Sequence, residues 1–428
     1  MWGGAIMVTL GFDRQCITPQ LPRALCGYEM ERIAKEVHDD LYTRVLLVNQ
    51  DGELFVLAQC DIIAIDPLLI DCVYQRVKEL GIKKEHITIV ATHTHAGPSG
   101  VFNTSEGLFE QMQGIFGMTD MPLIEMIADK IALAVRNASE DMLESEVVIA
   151  RGKVENVGTE RHDPSLPGDD SLLVFNFRRK DGREILLYNY ACHPTVTGPG
   201  NIEMTADFPY AVERDMDYDM VMFVNSCCGD ISSRFTRIDS SFEQVDIYAE
   251  RIIKGIEEAL EHPVYEGTFN DVFMNSYNLT LPIRKVRPVE VEEAQLAEYK
   301  KQLEEAKKQN LSASELRVIA SFAEGAKTAV NLAKALQGIK EENVHYTMMR
   351  LQNVVIAVTP GEMFSTLGRP LKDEGIEVFG YGNGYYIYIA DEYSYEKGYY
   401  EAMSSPFEKG VGELLSKEMK ERGKELCQ

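Results

Sequence analysis

Five residues whose side chains could take part in metal-assisted chemistry each follow an apolar run that predicts a buried strand: His93, His95, His193, Ser232 and Glu362. In α/β proteins, ligands bind outside the carboxyl ends of strands, so this placement favours a functional site. Catalytic zinc commonly takes three protein ligands from His and Asp/Glu and leaves one position for water. His93, His193 and Glu362 could supply such a set, which indicates a metal-assisted hydrolase.

Each of these features is weak on its own, because a single loop histidine or glutamate is usually structural. Together they carry more weight, because four strands of one sheet would bring them to the same rim. His93 and His95 point to opposite faces if their segment stays extended. We therefore expect only one of the two to bind the metal directly.

The elements that must position these residues alternate along the chain. Hydrophobic patterns predict strands at 43–48, 54–58, 87–90, 146–154, 172–178, 184–191, 220–224 and 353–358, and helices at 66–81, 121–140 and 242–261. The predicted fold is α/β, with a mixed β-sheet core, flanking helices and the active site at the carboxyl ends of strands.

Residues 287–342 are rich in Glu, Lys, Ala and Gln and have apolar residues at helical spacing. Asn310, Leu311 and Ser312 interrupt the pattern, and Ser312 or Ser314 could cap the second helix. This composition predicts a helical hairpin inserted at 285–343. We expect a solvated flank, and a lid over a substrate is the alternative.

Composition narrows the class of protein. The chain of 428 residues has a net charge of −25, which disfavours nucleic-acid binding and electrostatic docking on a membrane. It has eight cysteines and no Cys-x-x-Cys pair, no signal-peptide pattern at its start and no apolar run of about 20 residues. We therefore expect a cytoplasmic protein with reduced thiols and no stable membrane anchor.

Short motifs between about residue 16 and residue 402 resemble those of the neutral/alkaline non-lysosomal ceramidases, zinc-dependent amidases of the lipid ceramide. In chain order they are ITPQLPRALCGYE, VHDDLYTRVLLV, ATHTHAGPSG, NYACHP with TADFP, CGDISS, and TPGEMF. The match is specific because the motifs agree in order and in the trend of their spacing. It implies that residues 1–428 form a single ceramidase-like catalytic domain, without the C-terminal β-sandwich of secreted members.

The resemblance also implies roles for residues. Zinc would be held by His93, His193, Glu362 and Tyr388, the last in an Asn-x-Tyr-x-x-Tyr pattern. The other residues that would line the active site are His95, Arg161, Ser232 and Tyr400.

Two stretches depart from the family pattern. His162-Asp163-Pro164 differs from the Arg-Ser-Pro of the family, and Ser233-Arg234 stands where Pro-Asn usually follows the serine.

The expected reaction is hydrolysis of a carboxamide, in which zinc polarises the carbonyl and activates water. Ser232 could be a nucleophile or could hydrogen-bond the substrate, and we favour the second role because zinc already supplies a nucleophile. The substrate would be a small-molecule or lipid-like amide, which would place the protein in lipid metabolism. Two alternatives stay open: a hydrolase of a smaller soluble amide or ester, and a non-catalytic zinc- or ligand-binding protein. The sequence does not give the oligomeric state.

Overall fold

The computed structural model describes residues 8–28, 30–104, 112–166, 168–309 and 311–427, without the side chains of residues 313 and 314. The strands are β1 (Val8–Cys16), β2 (Arg23–Ala24), β3 (Ile33–Ala34), β4 (Glu36–Val37), β5 (Tyr42–Gln50), β6 (Glu53–Cys60), β7 (Ile87–Ala91), β8 (Ser145–Lys153), β9 (Thr159–Glu160), β10 (Ser171–Arg179), β11 (Glu184–Tyr190), β12 (Glu203–Met204), β13 (Met220–Asn225), β14 (Ile231–Ser232), β15 (Tyr265–Thr268), β16 (Val272–Pro282), β17 (Glu341–Leu351), β18 (Val354–Val358), β19 (Glu362–Met363), β20 (Ile376–Phe379) and β21 (Tyr388–Ile389).

The α-helices are α1 (Pro67–Val77), α2 (Gln113–Phe116), α3 (Met121–Glu140), α4 (Phe208–Asp215), α5 (Phe242–Leu260), α6 (Val289–Ala306), α7 (Ala313–Ala335), α8 (Ser365–Lys372), α9 (Glu392–Lys397), α10 (Tyr400–Ser404) and α11 (Val411–Leu426). The predicted strands and helices are confirmed, and α3 has the predicted bounds. None of the helices in the described ranges is long and apolar enough to cross a membrane. All eight cysteines are unpaired thiols.

Three larger sheets form the centre of the molecule. Their strand orders are β1-β5-β6-β7, β13-β11-β10-β8-β15 and β16-β17-β18-β20. Apolar side chains from all three sheets, such as Leu46, Phe175 and Ile356, meet in one buried cluster. Helices α1 and α3 pack near the first sheet, α5 on the second, and α8 and α11 on the third. The α/β class and the mixed strand directions are therefore confirmed.

The expectation that the site-bearing strands share one sheet is wrong. The strand before His93 lies in the first sheet, the strands before His193 and Ser232 in the second, and the strand before Glu362 in the third. In each sheet, one pair at the edge is parallel: β6 with β7, β11 with β13, and β18 with β20. Apolar runs predict strands but do not tell which strands pair, so the sequence could not separate the sheets.

The segment Gly380–Gly382 ties the ends of the three sheets together. Ala91 N–H donates to the carbonyl of Tyr381 at 3.1 Å, and Gly380 N–H donates to the carbonyl of Asn225 at 2.7 Å. A Cβ atom at Gly382 would lie 2.2 Å from Cγ1 of Val358, so only glycine fits there. The ends of β7, β13 and β18 are thereby held at one place in the molecule.

Helices α6 and α7 form a contacting pair, in which the rings of Tyr299 and Phe322 stack at 5.6 Å. Ser312 caps α7 in a capping box with Glu315, as one of the two predicted caps. Residue 310 and the side chain of residue 314 lie outside what the structure describes. That the pair is an insertion stays a prediction.

Candidate functional site

Three histidines and one glutamate meet where the three sheets join. The ligand atoms of His93, His95 and His193 all lie within 4.8 Å of one another. Glu362 Oε2 lies 3.0 Å from His193 Nε2 and 3.5 Å from His93 Nε2. These side chains come from three segments that are distant along the chain, since His93 and His95 share one loop, His193 lies on another and Glu362 lies in β19. We call these four residues the inner cluster.

Two backbone carbonyls fix how the histidines present their rings. Nδ1 of His93 lies 2.6 Å from the carbonyl oxygen of Ile63, and Nδ1 of His193 lies 2.8 Å from that of Ile231. A carbonyl only accepts, so each neutral ring carries its proton on Nδ1 and presents an unprotonated Nε2. Metal-binding histidines are held by this kind of hydrogen bond.

The protonation states of His93 and Glu362 in the inner cluster also favour binding of a cation. Burial lowers the pKa of His93 to about 4. Burial alone would raise the pKa of Glu362, but His93 and His193 hold it at about 2. A neutral histidine and an ionised glutamate are the protonation states that metal binding requires.

The geometric argument that separated His95 from His93 fails. The strand ends at Ala91, and His93 has a φ of 68°, in the left-handed region. The alternation of an extended chain therefore does not apply, and His95 Nε2 lies 3.1 Å from His93 Nε2. Nδ1 of His95 is buried next to Gly27 and has no hydrogen-bond partner among the residues that the structure describes. That only one of the pair binds metal stays a prediction from the family pattern.

Three tyrosines surround Glu362. Tyr388 is the register partner of Glu362 in the β19–β21 pair, and the rings of Tyr388 and Tyr400 approach edge to face at 5.5 Å. Tyr385 donates a hydrogen bond from its hydroxyl to Glu362 Oε1. The sequence predictions missed Tyr385, although it belongs to the same Asn-x-Tyr-x-x-Tyr pattern that indicated Tyr388.

Arg161 is buried beside Tyr388. Its Nη1 lies 3.4 Å from Tyr388 Oη, 3.1 Å from the carbonyl oxygen of Gly229 and 3.3 Å from Glu401 Oε1. Burial alone would lower the pKa of Arg161, but Tyr388 and Glu401 together hold it well above its usual value. The guanidinium is therefore charged and fixed in place.

Glu401 and its neighbour His162 support Arg161. Glu401 Oε2 lies 2.8 Å from His162 Nε2, and His162 Nδ1 lies 2.7 Å from Glu160 Oε1. Burial would lower the pKa of His162, but Glu401 and Glu160 raise it to about 9. The His162 position, a departure from the family pattern, thus supplies a second positive charge next to Glu401.

Ser232 lies in β14, in register with Thr159 of β9. Its Oγ accepts a long hydrogen bond of 3.4 Å from the backbone N–H of Arg234. In the ranges that the structure covers, no histidine or carboxylate is hydrogen-bonded to this Oγ. The arrangement offers no base that would activate the hydroxyl as a nucleophile.

A cavity of about 470 Å³ opens above the inner cluster. Six of the eight predicted site residues line it: His95, Arg161, His193, Ser232, Tyr388 and Tyr400. The other two, His93 and Glu362, line an adjoining space of about 30 Å³ that shares His95, Tyr388 and Tyr400 with the larger one. The structure therefore brings all eight residues to one place.

Helix α7 also lines the cavity, through Arg317 and Glu324. The expectation of a solvated helical flank is wrong for this helix. Two of its charged side chains, Arg317 and Glu324, face the cavity rather than open solvent. Gly325 packs against the backbone of Tyr400, which brings the helix over the site.

Residues 9–166 match the family model described as neutral/alkaline non-lysosomal ceramidase, N-terminal. Over these residues the chain is similar to that family. The crystal structure of neutral ceramidase from Pseudomonas aeruginosa superposes with a TM-score of 0.75 at 16% identity, over 99% of this chain and 75% of that one. A structure of a ceramidase complexed with C2 gives a TM-score of 0.73 at 14% identity, over 98% and 75%. At these identities the likeness shows a shared fold. No curated protein sequence matches the chain.

Proposed function

We propose that the protein is a zinc-dependent hydrolase that cleaves a carboxamide. The observation that carries this proposal is the inner cluster: buried Nε2 atoms and a carboxylate converge at the floor of a cavity. The match of residues 9–166 to a family named for ceramidases supports amide hydrolysis as the reaction. His93, His193, Glu362 and Tyr388 are the proposed ligands.

The donor set fits zinc rather than a harder cation. Two imidazole nitrogens with one carboxylate oxygen match the ligands of catalytic zinc, whereas magnesium and calcium prefer oxygen alone. The hydrogen bonds from both Nδ1 atoms to carbonyl groups leave Nε2 as the donor atom. When bound, zinc would polarise the amide carbonyl and lower the pKa of a water molecule.

The remaining residues would act on the substrate directly. Arg161 and Tyr400 face the cavity from its wall, where a positive charge and a hydroxyl could stabilise the developing oxyanion. His95 is buried and burial holds its pKa well below the usual value, so its neutral ring could hydrogen-bond the substrate or a water molecule. Ser232 would hydrogen-bond the substrate, because no base within the described residues is hydrogen-bonded to its hydroxyl.

Two hypotheses differ in which amide is the substrate. The family name and the ceramidase complexed with C2 favour a lipid-like amide. The arginines that line the cavity favour a smaller soluble amide or ester on the same scaffold. A non-catalytic binding protein is the third hypothesis, and the completeness of the inner cluster argues against it. The cytoplasmic location and the lack of a nucleic-acid partner stay predictions from the sequence.

The test is to measure zinc content and amidase activity together. We expect about one zinc per chain, loss of activity on chelation and recovery when zinc is returned. His193→Ala should lose both zinc and activity. The matched control is His345→Ala, because His345 is an exposed histidine on β17.

Two outcomes would decide against the proposal. Protein that stays folded, metal-free and inert after zinc addition would exclude both enzyme hypotheses. A Ser232→Ala variant as inactive as His193→Ala, but with its zinc retained, would restore the covalent route through serine.

A further inference from the structure

Four arginines line the larger cavity: Arg161, Arg234, Arg237 and Arg317. Glu324 is the single carboxylate among the lining residues that the structure describes. The whole chain has a net charge of −25, so this concentration of positive charge is opposite to the rest of the molecule. Positive clefts of this kind attract and hold anions.

The carboxylates nearby compensate only part of this charge. Arg317 donates to both oxygens of Glu324, at 2.7 and 2.8 Å. Arg237 instead donates to two backbone carbonyls, those of Thr195 at 2.6 Å and Val196 at 3.0 Å. A carbonyl orients a guanidinium but does not neutralise it, so the charge of Arg237 remains available to a ligand.

Three of the four guanidinium groups, those of Arg161, Arg234 and Arg317, are close enough to repel one another. Burial, together with the charges of Arg161 and Arg317, lowers the pKa of Arg234 to about 9. Tyr28, which also lines the cavity, lies within the electrostatic reach of both Arg237 and Arg317. Buried like charges are costly unless a counter-charge is bound among them.

The arginines begin at the inner cluster and extend away from it. Arg161 Nη1 lies 3.4 Å from Tyr388 Oη, and Arg234 Nη1 donates to the carbonyl of Arg161 at 2.6 Å. A cavity of about 470 Å³ suits a small ligand that reaches both regions.

We propose that the amide substrate carries a carboxylate close to the scissile bond, as an N-acyl amino acid does, and that Arg234, Arg237 and Arg317 bind this carboxylate. The inference rests on the proposed amide hydrolysis for its reaction, but the anion-binding site is a separate feature. Arginine presents parallel N–H groups that match the two oxygens of a carboxylate. A neutral lipid amide would supply no counter-charge to Arg237, which donates to carbonyl groups.

The experiment compares two substrates that differ in one group, N-hexanoylglycine and its neutral analogue N-hexanoylglycinamide. We expect kcat/KM of the wild type to favour the acid by about tenfold or more. Raising the salt concentration should lower this preference, because it screens the partly exposed charges.

Variants with opposite expected effects on the acid-to-amide ratio distinguish a loss of anion binding from a loss of folding. Arg237→Gln and Arg317→Gln should each lower the ratio of acid to amide by about tenfold. Glu324→Gln should raise it, because it removes the single lining carboxylate. Arg178→Gln is the control and should leave both substrates unchanged, since Arg178 lies in β10, away from the cavity, and pairs with Glu266.

Calorimetric binding of N-hexanoylglycine distinguishes the two proposals. If neither amide is cleaved but the acid binds and Arg237→Gln abolishes the binding, the anion site stands and amide hydrolysis is wrong. If the wild type cleaves the neutral amide as well as the acid, or the arginine variants weaken both equally, the anion-binding proposal is wrong.

Discussion

The inner and outer ends of the cavity are built in different ways. At the inner end, His93 and His193 directly follow buried strands, and backbone carbonyls hold their rings. At the outer end, Arg237 lies on an irregular loop and Arg317 on α7. The inner end is therefore as rigid as the sheets, whereas the outer end can vary without disturbing them. This division suggests that the reaction is fixed by the sheets and the choice of substrate by the loops and the helix.

The largest expected effect comes from Glu362→Gln at the inner end. Losing the negative charge should lower both zinc affinity and kcat by about 100-fold or more, because the amide is a weaker ligand. Zinc content after dialysis and kcat measure the two losses. Glu155→Gln, an exposed glutamate, is the matched control. A variant that keeps full zinc and full activity would remove Glu362 from the proposed ligands.

A second large effect is expected where Gly27 packs on His95. A Cβ atom at Gly27 would lie 2.5 Å from His95 Nδ1, at a φ of 93°. Gly27→Ala should therefore displace His95 and lower kcat by about tenfold or more.

Gly52→Ala is its control, because Gly52 has a φ of 92° and open space around it. Both variants place a side chain at a positive φ, which strains the backbone by about 1–2 kcal/mol. Only Gly27→Ala should change kcat. Equal effects on kcat would mean that the position of His95 does not matter.

A stability effect is expected at Glu401, which lies between the two ends. Glu401→Gln would leave the buried Arg161 and His162 without their shared carboxylate and should lower the free energy of unfolding by about 3–5 kcal/mol. Glu396→Gln breaks an exposed pair with Lys409 and should cost less than about 1 kcal/mol. Urea unfolding of both variants gives the comparison, and similar losses would contradict the buried network.

The smallest expected effect is a pH dependence from His162. Its pKa is raised in the folded protein to about 9, compared with about 6.5 when unfolded. The stabilisation is therefore fully present below about pH 6.5 and is lost as the pH rises to about 9. His162→Gln should flatten the stability curve over this range, and an unchanged slope would mean that another group is responsible.

The sequence predicted most of the inner end. The strands before His93, His193 and Glu362 were visible as apolar runs, and the family resemblance supplied Tyr388. It did not predict that His95 turns toward His93, because a positive φ at a histidine has no sequence signature. It also indicated one sheet where the structure has three, because strand pairing depends on contacts between residues that are distant along the chain.

The sequence did not predict most of the outer end of the cavity. Arg317 and Glu324 are spaced as on any solvated helix, and only the packing of α7 above the site shows that they face a cavity. Arg234 departs from the family pattern, but the sequence assigns no role to it. Side chains on loops and helices gain their neighbours from tertiary structure, so composition alone could not assign them to a site.

X-ray absorption spectroscopy of the zinc-loaded protein tests the central claim most directly. We predict one zinc per chain with only nitrogen and oxygen ligands at about 2.0–2.2 Å, including two imidazoles. The buried thiol of Cys228 lies near His193 Nδ1, at 3.5 Å, and is the nearby alternative ligand. A sulfur ligand at about 2.3 Å, or no bound zinc at all, would contradict the proposed metal centre.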